Sequence, residues 1–230
     1  MLKLIVVAAV LVSSASAASQ CCGPPQFMGG LGSQLGQSAA PGQDPLGVNL
    51  LLYGAWDYTN RRFGYMEDVV YANGTSSHIR VIQDYAKGTQ WVYIDEYKYC
   101  LKQEVEPPEP TICIPADAVF FSSLSIGGNG SDSLLVDSYS KTYNEGILIG
   151  GGSITVRHKD CFPLGSQFMG TITYMGSKVP TVVSNGWFNV TIGIPKPDDW
   201  FTVPSYCNQQ ETNSARRPRH IHSMHLKRFF

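Results

Sequence analysis

The stretch QWVYIDEYKY, residues 90–99, is the clearest strand signal in the sequence and decides its fold class. Aromatic and β-branched residues favour strands because they pack well on a pleated surface. Successive side chains of a strand point to opposite faces, which divides this run into two sets: Trp91, Tyr93, Tyr97 and Tyr99 on one face, Val92, Ile94 and Cys100 on the other. We therefore predict one strand over residues 90–99.

Similar runs recur along the chain and are separated by turn residues. They predict strands at 48–57, 62–71, 78–85, 133–139, 146–157, 167–175 and 186–194. The turn signals are Asn73-Gly74, Lys87-Gly88, Asn129-Gly130 and Asn185-Gly186, because such pairs adopt tight hairpin turns. No amphipathic helical pattern exceeds about two turns. Short strands at this spacing predict an all-β, mainly antiparallel fold, either a sandwich or an open barrel.

The N-terminus is organised like a secretory signal peptide. Lys3 precedes an unbroken apolar run at residues 4–12, and Ala15-Ser16-Ala17 supplies the small residues that signal peptidase recognises. We expect cleavage after Ala17. The run is too short to cross a bilayer, which needs about 20 apolar residues, and no later segment approaches that length. The mature product is therefore expected to be secreted, extracellular and without a transmembrane segment.

Charge separates a folded body from a basic tail. Of the 17 Lys and Arg residues, five lie within 215–230 and one is Lys3, so the body carries 11 basic residues against 18 acidic ones. A nucleic-acid partner would need a basic face on the body, and we expect no such partner. Charged residues make up only 15% of the chain, below the usual share of about 25%, which is typical of extracellular β proteins.

These signals divide the chain into four predicted segments. They are a signal peptide at 1–17, an extended Gly/Pro-rich arm at 18–46, a β domain at 47–208 and a disordered, basic, His-rich tail at 209–230. Gly29-Gly30 would belong to the flexible arm, whereas Gly150-Gly151-Gly152 indicates a β-bulge or a close strand contact. In the tail, His220, His222 and His225 could chelate a transition metal, but a flexible basic tail is the simpler interpretation.

Six cysteines in a secretory context predict disulfides: Cys21, Cys22, Cys100, Cys113, Cys161 and Cys207. No two of them have the close C-x-x-C spacing that zinc sites use. A ring between adjacent cysteines is strained, so Cys21 and Cys22 are expected to bond to different, distant partners. The residues alone leave the pairing open.

Three sequons, at Asn73, Asn129 and Asn189, predict N-glycosylation in the secretory pathway. Asn73 and Asn129 lie in Gly-rich turn signals, whereas Asn189 lies within a strand pattern. If Asn189 carries a glycan, strand alternation places Trp187, Asn189 and Thr191 toward solvent, and Phe188, Val190 and Ile192 toward the core.

Candidate catalytic residues are few. The body contains two histidines, His78 and His158, both in polar surroundings typical of a surface, and no G-x-S-x-G elbow. Asp95-Glu96 would point to opposite faces of a strand, so that pair is unsuited to acid–base catalysis. Asp198-Asp199 alone cannot supply the 6–8 oxygens that calcium takes. We expect no enzyme activity and no required cofactor.

Several segments together resemble the ependymin-related family, secreted proteins of the invertebrate type. They are Cys22-Gly23-Pro24-Pro25-Gln26, Trp56-Asp57-Tyr58-Thr59-Asn60-Arg61-Arg62 (with Trp56 where the family usually has Tyr), Tyr97-Lys98-Tyr99-Cys100, Ile114-Pro115-Ala116-Asp117-Ala118, Ser125-Ile126-Gly127-Gly128, Lys159-Asp160-Cys161-Phe162-Pro163, residues 188–194, and residues 200–207. The order and spacing of these segments carry the resemblance, which runs from Cys22 to Cys207.

The resemblance implies two stacked antiparallel sheets that form an open half-barrel with an apolar pocket, similar to bacterial lipoprotein carriers. It also implies glycosylation, association with calcium and a homodimer. It implies the disulfides Cys22–Cys161 and Cys100–Cys207, which leaves Cys21 and Cys113, outside the common family pattern, for a third. We expect the pocket wall to include Val92, Ile94, Ile147, Ile149, Phe188, Val190 and Ile192.

Three functions compete on these grounds. The first is a carrier that binds a fatty acid or another lipid, with a calcium-dependent role in adhesion to the extracellular matrix. The second is a structural component of a matrix or secretion that binds calcium without a lipid ligand. The third, a hydrolase that uses His78 or His158, is disfavoured by the scarcity of catalytic groups.

Overall fold

The computed structural model describes residues 21–38, 45–105, 111–128, 130–146, 148–174 and 177–209. Within these ranges the chain is almost entirely strand, with one short helix, α1 (Asp198–Phe201), and a 3-10 turn at Ser205–Gln209. The strands are β1 (Gln26–Gln37), β2 (Leu46–Asp57), β3 (Arg62–Tyr71), β4 (Ser76–Asp84), β5 (Thr89–Ile94), β6 (Tyr99–Glu104), β7 (Val119–Ile126), β8 (Leu134–Glu145), β9 (Leu148–Arg157), β10 (Pro163–Tyr174) and β11 (Ser177–Ile192).

All eleven described strands belong to one antiparallel sheet, which confirms the predicted fold class. Their order is β6-β5-β4-β3-β2-β1-β11-β10-β9-β8-β7. Each half, β1–β6 and β7–β11, is a simple meander, and the two meet where β1 pairs with β11. Hydrogen bonding is therefore continuous, and the two stacked sheets implied by the resemblance are the two halves of a single sheet.

The two halves bury a common inner face. Phe168, Ile172 and Val183 are at most 1% exposed, although no described helix is long enough to cover a sheet of this width. The sheet must therefore curl so that one half covers the other. Two apolar clusters fill the interior: Leu35, Val48, Leu50, Val69, Tyr143, Leu148, Phe168, Ile172 and Val183 in one, and Phe27, Trp56, Phe63, Tyr65, Val81, Val92 and Phe162 in the other.

The C-terminal segment covers part of the outer face. Val203, Tyr206 and Cys207 pack against Ile82 and Tyr93, and the disulfide Cys100–Cys207 attaches this segment to β6. The backbone of α1 lies so close to β3 that a side chain at Gly64 would collide with the Trp200 carbonyl oxygen. The outer face of β3–β6 is thus a second, smaller packed layer.

The stretch at residues 90–99 is a hairpin, so the prediction of one strand there is wrong. β5 ends at Ile94, an exposed turn follows, and β6 begins at Tyr99, which pairs with Ile94. Lys98 adopts a positive φ of 49°, and its N–H donates to the Asp95 carbonyl oxygen at 3.3 Å. The alternation of aromatic residues continues across the turn, which is why the pattern resembles a single strand.

Residues 26–37 form β1, the centre of the sheet, and not part of an arm outside the β domain as the sequence predicts. Phe27, Leu31 and Leu35 are buried on its inner face. Glycines on its outer face obscure this alternation in the sequence. At Gly30 the glycine is required, because the Phe188 ring of β11 occupies the position that a Cβ would take.

Two further strands, β7 and β11, differ from the predictions. β7 is absent from the predicted strands, and β11 runs through Asn185-Gly186, where the sequence predicts a turn. Both residues continue the strand pairing instead. Asn185 Nδ2 donates to Ser166 Oγ of β10 at 3.1 Å, and Gly186 lies opposite Gly32 of β1 and Gly165 of β10. At Gly150 the structure has a close strand contact, since a Cβ would collide with the Met169 carbonyl oxygen of β10.

In the structure, Cys21 and Cys22 each bond to the partner that the resemblance implies for the other. Cys100 pairs with Cys207 as the resemblance implies, but Cys21 pairs with Cys161 and Cys22 with Cys113. The implied pairings Cys22–Cys161 and Cys21–Cys113 are therefore wrong. The reason is that Cys22 forms a β-bridge with Cys113, and the side chain of its neighbour Cys21 points away toward the turn between β9 and β10.

We predict that replacing Cys22 with Ser leaves a free thiol at Cys113, because these residues are bonded to each other. Alkylation of the non-reduced variant, followed by peptide mass spectrometry, locates that thiol without cleavage between Cys21 and Cys22. The matched variant Cys21→Ser should expose Cys161. A label on Cys161 in the Cys22→Ser variant would show that the pairing implied by the resemblance is the correct one.

Candidate functional site: an apolar cleft beside the central ladder

The connection between β6 and β7 passes back over the N-terminus of β1. Gly23 N–H donates to the Ile112 carbonyl oxygen at 3.1 Å, and Ile114 N–H donates to the Cys21 carbonyl oxygen at 2.8 Å. The disulfide Cys22–Cys113 lies between these two hydrogen bonds. Residues 111–115, which we call the connector, are therefore attached firmly to the start of the central strand.

A cleft lies between the connector and the sheet. The cleft and the open solvent at its mouth together occupy about 480 Å³. Its wall consists of connector residues 111–115 on one side and of Tyr58, Ile154, Val156, Pro163, Gly165, Ser166 and Trp187 on the other. None of these side chains is charged, so the wall favours an apolar ligand and has no general acid or base that works near neutral pH.

A cluster of aromatic rings packs against the part of the cleft wall that contains Trp187. The fully buried Phe27 stacks on Trp56, with ring centroids 5.5 Å apart, and contacts the edges of Phe162 and Trp187 at 5.1 Å and 5.2 Å. Trp56 and Trp187 meet at 4.7 Å. Such edge-to-face contacts fix ring positions, so the part of the wall that contains Trp187 is preorganised.

The predicted pocket residues do not come together at this cleft. Val92 is buried and Val190 packs against the same apolar cluster, but Ile94 is only half-buried. Ile149, Phe188 and Ile192 are exposed, and Ile147 lies outside the described residues. The cleft uses the connector instead, an apolar segment with a central cysteine that no strand pattern marks.

A β-bulge at Asn189 interrupts the predicted alternation of faces in β11. Asn189 has a positive φ of 50°, and the pairing with β1 shifts between Met28 and Gly30. An extra residue of this kind breaks the two-residue alternation. Trp187 and Val190, three positions apart, therefore both pack against the core. The sequence predicts the inward position of Val190 and the outward positions of Asn189 and Thr191 correctly, but Trp187, Phe188 and Ile192 lie on the faces opposite to those predicted.

Two of the three sequons lie on the described surface. Asn73 is exposed, and its Oδ1 accepts hydrogen bonds from Thr75 N–H at 3.0 Å and from Thr75 Oγ at 2.7 Å. Asn189 is exposed at the bulge. Asn129 lies outside the described residues, as do the predicted signal peptide and the tail histidines. Both described sequons are sterically accessible for modification.

The two body histidines lie on the surface, each beside a carboxylate. His78 contacts Asp68, and His158 Nδ1 is 2.9 Å from Asp137 Oδ2. Ser123 Oγ donates to Asp137 Oδ1 at 2.6 Å, and this hydrogen bond holds the pKa of Asp137 below its usual range. In a hydrolytic triad the histidine lies between serine and acid. Here the acid lies between them, so Ser123 is not activated as a nucleophile.

The predicted carboxylate pairs lie on the surface, and Asp95 contacts neighbouring side chains. Asp95 lies in the β5–β6 turn, where it accepts a hydrogen bond from Tyr206 Oη at 2.9 Å and lies 3.6 Å from Arg80. Asp198 and Asp199 open α1. Among the residues that the structure describes, no three His, Cys, Asp or Glu side chains are grouped as a metal site. In the same ranges, no helix has the length and apolar character to span a membrane.

The motif at residues 56–62 closes the turn between β2 and β3. Asp57, whose side chain is 1% exposed, accepts hydrogen bonds from Gln26 Nε2, Asn60 N and Nδ2, and Arg62 Nε at 2.7–3.1 Å. Burial alone would raise the pKa of Asp57, but the hydrogen bonds from Asn60, Gln26 and Arg62 outweigh burial and hold the pKa below its ordinary value. Asp57 therefore joins β1, β2 and β3 at the aromatic end of the sheet.

Comparison with known proteins shows the family of the chain. A family model described as Ependymin matches residues 73–207. The chain belongs to the ependymin family. Development-specific protein LVN1.2 of Lytechinus variegatus is 38% identical to this ependymin-family chain over 175 residues, which cover 73% of the chain and 90% of the relative. The motif around Asp57 lies before residues 73–207, which the family model matches, and its structural role follows from its contacts.

Two solved structures resemble the chain at low TM-score. One is a DUF1329 family protein from Desulfovibrio piger, with a TM-score of 0.30 and 10% identity, which covers 77% of this ependymin-family chain and 90% of its own. The other is a beta-barrel-like protein of DUF1849 from Brucella abortus, with a TM-score of 0.26 and 7% identity, and coverages of 76% and 100%. At these scores neither likeness bears on function.

We predict that Asp57→Asn lowers the free energy of unfolding by roughly 1–3 kcal/mol at neutral pH, because the buried donors lose a charged acceptor. The folded pKa of Asp57 is depressed, so its stabilisation is present above the ordinary pKa and is lost as the pH falls through the folded pKa. The difference from wild type should therefore shrink in acid, as urea titrations at several pH values would show.

The control for Asp57→Asn is Asp132→Asn, at an exposed position in the turn between β7 and β8. It should change stability by less than about 0.5 kcal/mol at any of these pH values. An equal effect of both substitutions would contradict the role assigned to Asp57.

Proposed function

We propose that this chain is a secreted glycoprotein that binds an apolar ligand, a fatty acid or another lipid, in the cleft and catalyses no reaction. The observation that carries the proposal is the uncharged, largely apolar wall formed by the connector and by the inner face of β9–β11. A preformed concave site of this kind is the usual geometry of a small-molecule pocket. The disulfide Cys22–Cys113 fixes the connector side of the cleft before any ligand arrives.

Other features support a secreted protein. The predicted signal peptide directs the chain to an oxidising compartment, where the three disulfides form and persist. The exposed sequon residues Asn73 and Asn189 would carry the glycans. In this setting a lipid ligand, which is poorly soluble in water, would need a protein to carry it.

The affinity of an apolar chain for the cleft depends on how much of the chain the cleft covers. Burial of one methylene contributes about 0.8 kcal/mol, and the cost of immobilising the ligand opposes this gain.

We predict that Ile154→Trp weakens lipid binding by at least about tenfold, since the larger ring would occupy the cleft that Ile154 lines. Displacement of a dansyl-labelled fatty acid from the delipidated, full-length protein measures the affinity. The control Ile149→Trp places the same ring on the same strand at an exposed outer position, and its affinity should equal that of wild type.

Two results would count against a carrier. One is equal binding by Ile154→Trp and wild type. The other is a purified protein that holds no lipid by native mass spectrometry and binds none when offered. The second result would favour the alternative, a calcium-binding matrix component without a lipid ligand, for which the acidic body and the exposed Asp95-Glu96 are the supporting features. Calcium titration of the deglycosylated protein tests that alternative.

The proposal includes a homodimer that forms through β7, an edge strand. Five of its eight residues are apolar side chains that are 53–75% exposed: Val119, Phe120, Phe121, Leu124 and Ile126. An unpaired, uncharged strand edge pairs readily with another strand. Two-fold antiparallel pairing of β7 with β7 brings the same apolar set together without like-charge repulsion.

We predict that Leu124→Lys converts this dimer to a monomer, because the dimer would bury two added ammonium groups in its apolar interface. Sedimentation velocity measures the change in mass. Val70→Lys, an exposed apolar position on β3, serves as the control and should remain dimeric. A Leu124→Lys variant that sediments as a dimer would place the interface elsewhere.

A further inference from the structure

A row of buried polar side chains crosses the inner face beside the cleft. Ser33 of β1 lies directly opposite Asn185 of β11, which in turn lies opposite Ser166 of β10. The three residues are 3%, 7% and 9% exposed. Apolar clusters lie on both sides of this row, so three polar residues in succession across neighbouring strands interrupt an otherwise apolar interior.

Two polar atoms of this row have no hydrogen-bond partner among the described residues, namely Ser33 Oγ and Asn185 Oδ1. The amide of Asn185 is held in place, because its Nδ2 donates to Ser166 Oγ at 3.1 Å. A buried polar atom without a partner destabilises the fold. Both atoms lie next to the cleft and are available to bond to a polar group that enters the interior.

The row is continuous with the cleft. Ser166 is itself part of the cleft wall, Asn185 is bonded to Ser166, and Ser33 lies one strand beyond Asn185. Side chains directly opposite each other on adjacent antiparallel strands are about 4.5–5.5 Å apart at Cβ. One small ligand group can therefore reach Ser33 Oγ and Asn185 Oδ1 together.

The charges of the inner face disfavour an anionic group there. No Lys, Arg or His is fully buried in the described part of the chain, whereas Glu67 of β3 is buried on the same face. Lys141 of β8 is committed to both carboxylate oxygens of Asp117 at 2.7 Å, and His158 contacts Asp137 near the sheet edge. An ionised carboxylate at the polar row would lose its hydration without gaining a cation.

We propose that Ser33, Asn185 and Ser166 form a head-group subsite for an uncharged amphiphile whose head is a hydroxyl. A hydroxyl both donates and accepts: it donates to Asn185 Oδ1 and accepts from Ser33 Oγ–H, which satisfies both unpaired atoms. The ligand class is therefore a long-chain alcohol or a hydroxyl-bearing neutral lipid, with its apolar chain directed into the cleft. This inference rests on the proposed carrier function and specifies its ligand.

The experiment compares dodecanol, dodecanoate and dodecane on the delipidated, full-length protein at about pH 8, where the acid is ionised. We expect dodecanol to bind about tenfold more tightly than either of the others. Ser33→Ala and Asn185→Leu should each reduce dodecanol affinity about fivefold to tenfold and leave dodecane affinity unchanged. Ligand-free Ser33→Ala should melt no lower than wild type, because the lost hydroxyl has no partner to lose.

The control variant is Thr181→Val, a buried polar residue on the same face of β11 whose hydroxyl already donates to the Val179 carbonyl oxygen at 2.9 Å. It should retain the preference for dodecanol. Equal affinity for the three ligands, or a preference that survives both Ser33→Ala and Asn185→Leu, would overturn the head-group subsite while leaving the carrier intact. Failure of all three ligands to bind would overturn both.

A second measurement on wild type needs no variant that might fold poorly. Affinity for dodecanoic acid should rise toward that for dodecanol as the pH falls through the pKa of the free acid, because protonation removes its charge. Dodecanol has no titrating head, so its own pH profile reports any change in the protein, including titration of Glu67, Asp137 or His158. Parallel profiles for the acid and the alcohol would overturn the proposal.

Discussion

The antiparallel ladder between β1 and β11 is the constraint on which the rest of the structure depends. It joins the first and last described strands, and without it the chain would form two separate meanders, each with an uncovered apolar face. The curled sheet buries those faces against each other. The aromatic cluster and the polar row both include residues of this ladder, and Trp187 of β11 forms part of the cleft wall.

Covalent and polar clamps surround one end of this ladder. Cys21 and Cys22 tie the start of β1 to the β9–β10 turn and to the connector, and Asp57 ties β1 to the β2–β3 turn. Rings of Phe27, Trp56 and Trp187 fill the space between these clamps. Asp57 and Arg62 of the residue 56–62 motif are therefore structural, since they pair with each other at the turn between β2 and β3.

The sequence predicts the strands of the first meander beyond β1 best, because their alternation is regular. β2, β3 and β4 lie close to their predicted bounds, and the turns at Gly74 and Gly88 fall between strands as expected. The centre of the sheet is harder to predict, because β1 uses glycine on its outer face and β11 carries a bulge at Asn189. The cleft wall was missed for a related reason: the connector gains its position from a disulfide and two long-range hydrogen bonds, and neither leaves a periodic pattern.

The partners of the two adjacent cysteines constrain how the chain matures after synthesis. Cys22 forms a disulfide with a residue 91 positions later, and Cys21 with a residue 140 positions later. β1 likewise pairs with a strand that is synthesised last. The N-terminal segment must therefore stay unpaired until most of the chain has been synthesised, with two neighbouring thiols not yet oxidised. Correct oxidation depends on thiol–disulfide exchange, and mixed disulfides at this pair would be the expected side products of overexpression.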